Sequence, residues 1–139
     1  MALEEVGLSV VSRFGVISGQ EVDERVYRVN DLVEKPAPEE APSNLVIASR
    51  YILTPEIFGY IDKVKPGKGG EIQITDALRK RVSAGHAMHG CRVQALRHDA
   101  GNTLDFIKAN IRYGLAREDL ASALGDFIIA QADDLRRLR

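Results

Sequence analysis

Arg25-Val26-Tyr27-Arg28-Val29-Asn30-Asp31-Leu32-Val33, followed directly by Glu34-Lys35-Pro36, is the stretch from which the fold can be read. Val26, Tyr27, Val29 and Val33 are β-formers, so residues 25–33 read as a strand. Pro36 offers no N–H to a ladder and stops the pairing, and the loop Ala37–Ser43 that follows carries two more prolines. The strand therefore ends on a carboxylate beside an ammonium. Strand ends are where α/β sheets place ligands. Glutamate accepts hydrogen bonds from hydroxyl groups and lysine offers a compact positive charge to phosphate, a pairing suited to a phosphorylated sugar. Taken alone, the tetrapeptide Val33–Pro36 fits a surface ion pair better.

Working outward, Ser12-Arg13-Phe14-Gly15-Val16-Ile17 reads as a short strand upstream, and Leu45–Leu53 as a third strand downstream. Residues Met1–Val6 show no capped beginning. Thr54-Pro55 opens a helix to Lys63 that would bury Ile57, Phe58 and Ile61, with Val64 just beyond. Thr75 or Asp76 caps a helix through Arg81, and Met88–Leu96 is a fourth strand. Thr103 caps a helix with Leu104, Ile107, Ile111 and Leu115 on one face. A last helix from about Glu118 places Leu120, Leu124, Ile128, Leu135 and Leu138 on one side. Strands interleaved with helices make the class α/β. Four strands are few for such a domain, so the expectation is an incomplete sheet. Its open edge and apolar face would favour a dimer or larger species, with strand exchange as one route.

The 139 residues suit one domain of ordinary size, and 45% hydrophobic residues supply a core. With 19 Lys plus Arg against 20 Asp plus Glu, the net charge of -1 gives no electrostatic reason to seek nucleic acid or an anionic membrane. Arg79-Lys80-Arg81 and Arg136-Arg137 with Arg139 lie where helices end, a favourable place for positive charge. The single cysteine, Cys91, falls in an apolar strand-like run and is expected to be buried and inert. No apolar run approaches the length of a membrane helix, no signal peptide opens the chain, and the cytoplasm is the expected location.

Two further segments bear on chemistry. His98-Asp99-Ala100-Gly101-Asn102 sets an Asp in a glycine-containing loop, where it suits Mg²⁺; taken alone, the same residues fit a plain turn better. Lys65-Pro66-Gly67-Lys68-Gly69-Gly70-Glu71 lacks the spaced glycines followed by Lys and Ser/Thr of a phosphate loop and reads as a flexible connection. His86 and His89 are expected to face solvent or be satisfied, and no Ser/His/Asp triad can be assembled from the spacing.

In order along the chain, these segments resemble one family. Ser12–Ile17 is similar to its "S-R-Y-G-V" strand, and Leu32–Pro36 carries its "V-E-K-P". Ala41–Leu45 with Arg50–Leu53 resembles "A-P-S-N-L…G-R-Y-I-L", Gly70–Ala77 resembles "G-E-I-Q-L-T-D-A", and Asp99–Asn102 is the "D-x-G-N" loop. On these motifs the chain is identified as a member of the bacterial UTP–glucose-1-phosphate uridylyltransferases, relatives of the glucose-1-phosphate thymidylyltransferases, with Gly70–Ala77 favouring the uridylyl branch. Ser49 stands where the family commonly has Gly before Arg50, and Asp105-Phe106 where it often has Gly and an aromatic.

The resemblance implies the C-terminal part of a nucleotidyltransferase domain, Rossmann-like with a mixed sheet, over residues 1–102, and C-terminal helices with subunit contacts over 103–139. It covers the second half of the family's catalytic domain. The glycine-rich "G-x-G-T-R" loop with its lysine, the base-recognition residues and a second metal-binding aspartate have no counterpart in this sequence. Met1 is thus expected to mark a start within a larger reading frame, and the chain by itself to be inactive. The implied partners are glucose 1-phosphate, UTP and UDP-glucose, with a homo-oligomer of the chain itself. By resemblance, Glu34 binds glucose hydroxyls and Lys35, the candidate catalytic residue, contacts the sugar phosphate. Gly15 is a backbone position beside the sugar where a side chain would intrude, and Asp99 is one of two aspartates that hold Mg²⁺. A non-catalytic oligomerisation or sugar-phosphate-binding module, and a thymidylyltransferase, are the alternatives.

Overall fold

A computed structural model describes residues 1–67 and 70–138. Residues 68 and 69 of the Lys65–Glu71 segment thus lie outside the described residues. The fold falls into two compact units, residues 1–95 and 96–139.

The first unit contains five strands: β1 (Ala2–Glu5), β2 (Gly15–Asp23), β3 (Val26–Glu34), β4 (Leu45–Ile47) and β5 (His89–Arg92). They close into a ring in the order β1-β4-β2-β3-β5. β5 closes it, lying parallel to β1 and antiparallel to β3. The open edge expected from four strands is therefore absent among the described residues. Residues 2–5, too few and too charged to announce themselves in the sequence, form the additional strand.

β2 and β3 are a hairpin whose turn is fixed locally. The Asp23 carboxylate accepts the Glu24 amide at 2.7 Å, and Glu21 accepts the Arg25 amide at 2.8 Å. Ser18 pairs with Asp31 and Gly19 with Val29, leaving Asn30 as the extra residue of a bulge. The bulge shifts the side-chain phase, so Val29 and Leu32 both point into the core despite their odd spacing.

Consecutive residues of β2 and β4 serve opposite faces, as strand geometry requires. Ile17, Leu45 and Ile47 join Leu3, Val29 and Leu32 in the main core. Val16 and Val46 pack instead with Val11, from a 3-10 turn over Leu8–Arg13. Helix α2 (Ile74–Ser83) covers the main core with Ala77 and Leu78. Its N-cap is Gln73 and not Thr75 or Asp76; Thr75 lies in the first turn, buried.

Three local expectations are corrected. β4 ends at Ile47 because Ser49 has φ 54°, which no strand tolerates. Helix α1 is only Ile57–Ile61, so Ile57 is buried while Phe58 is exposed. Cys91 is exposed: in β5 the alternation puts Gly90 inward and Cys91 outward, with Met88 buried just before the strand.

The second unit is the helix pair α3 (Thr103–Leu115) and α4 (Ala121–Arg137). Asn102, not Thr103, caps α3: its side-chain oxygen accepts the Asp105 amide at 3.1 Å. Neither helix contains a buried residue.

Candidate active site

Three of the four residues singled out in the sequence come together in the first unit. Gly15 and Glu34 are paired across β2 and β3. The next residue, Lys35, donates its amide to the Phe14 carbonyl at 2.9 Å and turns out of the sheet with φ 45°. That left-handed backbone is costly for a non-glycine residue and here falls at the candidate site. Lys35 Nζ stands 3.8 Å from Glu34 Oε1, with the lysine side chain 56% exposed and the glutamate 22%. The half-sunken carboxylate is thus held by the fold, while the ammonium reaches into solvent.

Helix α2 supplies what the sequence did not reveal. Thr75, read there only as a possible cap, donates its hydroxyl to Glu34 Oε2 at 2.6 Å. The two groups border the bare face of Gly15. A methyl added there would lie 3.0 Å from Glu34 Oε2, 3.0 Å from Ile47 Cδ1 and 3.1 Å from Thr75 Oγ1. Tyr51 is close enough to feel the carboxylate: burial first, and the Glu34 charge second, push its phenol above the usual tyrosine range.

A cleft of about 650 Å³ opens beside this cluster. Glu34, Lys35, Ser12, Gln73, Asp76 and Arg79 contribute its polar lining. Arg79 is committed to Asp31, donating from Nε at 2.8 Å and from Nη2 at 2.9 Å. Burial alone would raise Asp31, but the Arg79 fork, the Leu32 amide and the Arg79 charge outweigh it and hold the carboxyl below its ordinary range.

Asp99, the fourth residue, belongs to the second unit. Its Oδ1 accepts the Gly101 amide at 3.1 Å and its carbonyl accepts the Asn102 amide at 3.0 Å, so the loop is ordered by the same residues that start α3. Among the described residues no three His, Cys, Asp or Glu side chains converge on a metal position. A lone carboxylate fits Mg²⁺, which usually takes one or two carboxylates and fills its octahedron with phosphate oxygens and water. It does not fit zinc.

A closed ring of strands covered by helix α2, with a carboxylate–ammonium pair at a strand rim beside a cleft, is an α/β arrangement. The chain belongs to the nucleotidyl transferase family, whose model matches residues 5–114. Its relatives narrow the class. It is 48% identical over 109 residues to the UTP–glucose-1-phosphate uridylyltransferase of Pseudomonas aeruginosa, covering 78% of this chain and 39% of that protein. It is 41% identical over 128 residues to the enzyme of the same name from Staphylococcus haemolyticus, covering 92% and 44%. A solved UDP-glucose pyrophosphorylase complexed with UDP-glucose superposes with a TM-score of 0.79 at 46% identity, over 84% of this chain and 44% of that one. These are the relatives that the five motifs pointed to. The chain spans about two fifths of their length. Among the described residues, no helix is long and apolar enough to cross a membrane.

Proposed function

We propose that this chain forms the sugar-phosphate side of a UTP–glucose-1-phosphate uridylyltransferase, an enzyme that makes UDP-glucose and pyrophosphate from UTP and glucose 1-phosphate. The observation that carries this is the Gly15–Glu34–Lys35 arrangement at the rim of β3, in a chain 48% identical to such an enzyme. Because the chain spans about two fifths of those relatives, turnover is proposed for the whole protein and not for these residues by themselves.

The reaction joins a glucose 1-phosphate oxygen to the α-phosphorus of UTP, breaks the bond to the β-phosphate bridge and releases pyrophosphate. Glu34, half-buried and fixed on one oxygen, accepts hydrogen bonds from glucose hydroxyls. Gly15 lets Glu34, Ile47 and Thr75 close in beside the strand, where a side chain would press on all three and displace the carboxylate. Lys35, exposed and turned out of the sheet, places its charge against the sugar phosphate. Asp99 would hold Mg²⁺, which neutralises phosphate charge when bound. Little covalent work falls to the protein; orientation and charge supply the rate. A cytoplasmic enzyme acting on such soluble sugar nucleotides is the corresponding location.

The experiment is calorimetric titration of UDP-glucose into the chain with Mg²⁺, repeated on Glu34→Ala. Binding that the substitution abolishes supports the proposal. A folded chain that binds no UDP-glucose refutes a preformed half-site.

A second role has its own observation. Leu104, Phe106, Phe127, Ile129 and Leu135 on α3 and α4 are each more than half exposed, a large apolar surface for one small helix pair. It supports homo-oligomerisation through the C-terminal helices. Sedimentation as a monomer at all concentrations would refute it.

A further inference from the structure

Thr75 is the one polar side chain that is buried among the described residues, 3% exposed. Its hydroxyl is spent on Glu34, at the distance usual for a charge-assisted bond to a carboxylate. Anchoring α2 to β3 does not require this bond. Ala77 and Leu78 already bury the helix against the core, and the Arg79–Asp31 fork clamps its outer side to the same strand. Drawing a carboxylate partly out of water, onto one hydroxyl and an ammonium 3.8 Å away, is a poor way to gain stability.

The bond does something else well. Thr75 is buried in the first turn of a helix packed on the core, so its hydroxyl is a fixed point. Holding Oε2 there removes the rotation of the Glu34 carboxylate and turns its remaining acceptor positions in one direction. Thr75 Oγ1 and Glu34 Oε2 are also the two polar atoms that flank the bare face of Gly15. Three residues from β2, β3 and α2, distant in sequence, thereby define one small polar wall.

We propose that Thr75 is a positioning residue for the sugar: it orients Glu34 toward glucose hydroxyls without touching the reacting atoms. This rests on the proposed function above. Preorganisation of this kind acts on affinity for the sugar part of a ligand and leaves its phosphates untouched.

The test uses UDP-glucose and UDP as probes, titrated calorimetrically into the unsubstituted chain, Thr75→Val, Thr75→Ser, Glu34→Gln and the double variant Thr75→Val/Glu34→Gln. Thr75→Val is expected to weaken UDP-glucose about tenfold, Thr75→Ser to restore it to within about threefold, and UDP, which lacks the glucose, to give the same titration with every form. In the Glu34→Gln background Thr75→Val is expected to add little, since two residues acting through one group are not additive. Should Thr75→Val fail to fold, the buried Thr75 hydroxyl proton is followed by NMR in the unsubstituted chain. A shift of that resonance on adding UDP-glucose, and none on adding UDP, supports the proposal. An unsubstituted chain that binds UDP-glucose with an unmoved hydroxyl proton, or a folded Thr75→Val that binds it normally, overturns the positioning role alone. An unsubstituted chain that binds no UDP-glucose refutes the proposed function and this role with it.

Discussion

Replacing Ser49 by glycine should stabilise this protein, although it removes atoms and adds no contact. Ser49 has φ 54°, in the left-handed region. On one side the Ala48 amide donates to the Ala2 carbonyl at 3.0 Å; on the other the Arg50 carbonyl accepts the Ala2 amide at 2.8 Å. Both bonds tie the segment to β1, so Ser49 cannot relax to a better backbone without breaking them. The serine is exposed, and its carbonyl accepts Arg50 Nη1 at 3.0 Å. Glycine keeps that carbonyl. A side chain in this region costs roughly 1–2 kcal/mol. Glycine returns about 0.4–1 kcal/mol of that through the greater freedom of its unfolded chain. The difference is a net gain of about 0.5–1 kcal/mol, or an upward shift in Tm of about 2–4 °C. Urea denaturation reads it as a higher midpoint at unchanged slope. Ser49→Ala, which keeps a Cβ, is the control and should show no gain. An Ser49→Gly midpoint equal to or below that of the unsubstituted protein would refute the strain argument.

Lys35 carries the same kind of strain at φ 45°, but at the candidate site. Lys35→Gly should be about 1 kcal/mol more stable than Lys35→Ala in urea, while both lose affinity for glucose 1-phosphate by calorimetry; equal stabilities would mean the backbone is unstrained. Gly90→Ala should destabilise by about 1–3 kcal/mol, since its methyl would lie 2.7 Å from Cγ of the fully buried Leu3, at the seam where β5 closes on β1. An unchanged thermal midpoint would show that the seam can open to admit it. Arg79→Ala should cost about 0.5–1 kcal/mol at pH 7, because both partners of the Asp31 fork are partly solvated. Asp31 is held below its ordinary value of 3.8, so the stability it contributes is present above that pH and disappears as pH falls through the lowered value. The two proteins should therefore converge in stability as pH falls below that of an ordinary aspartate, and a gap that persists in acid would rule out the ion pair as its origin.

What the sequence determined by itself was local or chemical. The run Val26–Val33 could only be extended, Pro36 could only end it, and Glu34-Lys35 therefore had to stand at a strand rim. Five ordered motifs then sufficed for the family, since each is read residue by residue and needs no geometry. Asn102 beside Thr103 shows the limit of such local signals: both are good caps, and only the chain's path decided that the asparagine faces the Asp105 amide. Cys91 fails for a related reason, because a strand's residue types do not fix its phase and a shift of one residue exchanges its two faces. The closure of five strands into a ring was decided entirely by tertiary structure, since it depends on β1 and β5 meeting from opposite ends of the first unit. So was the contact of Thr75 with Glu34, 41 residues apart in the chain. Side-chain patterns record what a residue faces on its own element. Which distant hydroxyl completes a carboxylate is settled only when a helix packs onto a sheet.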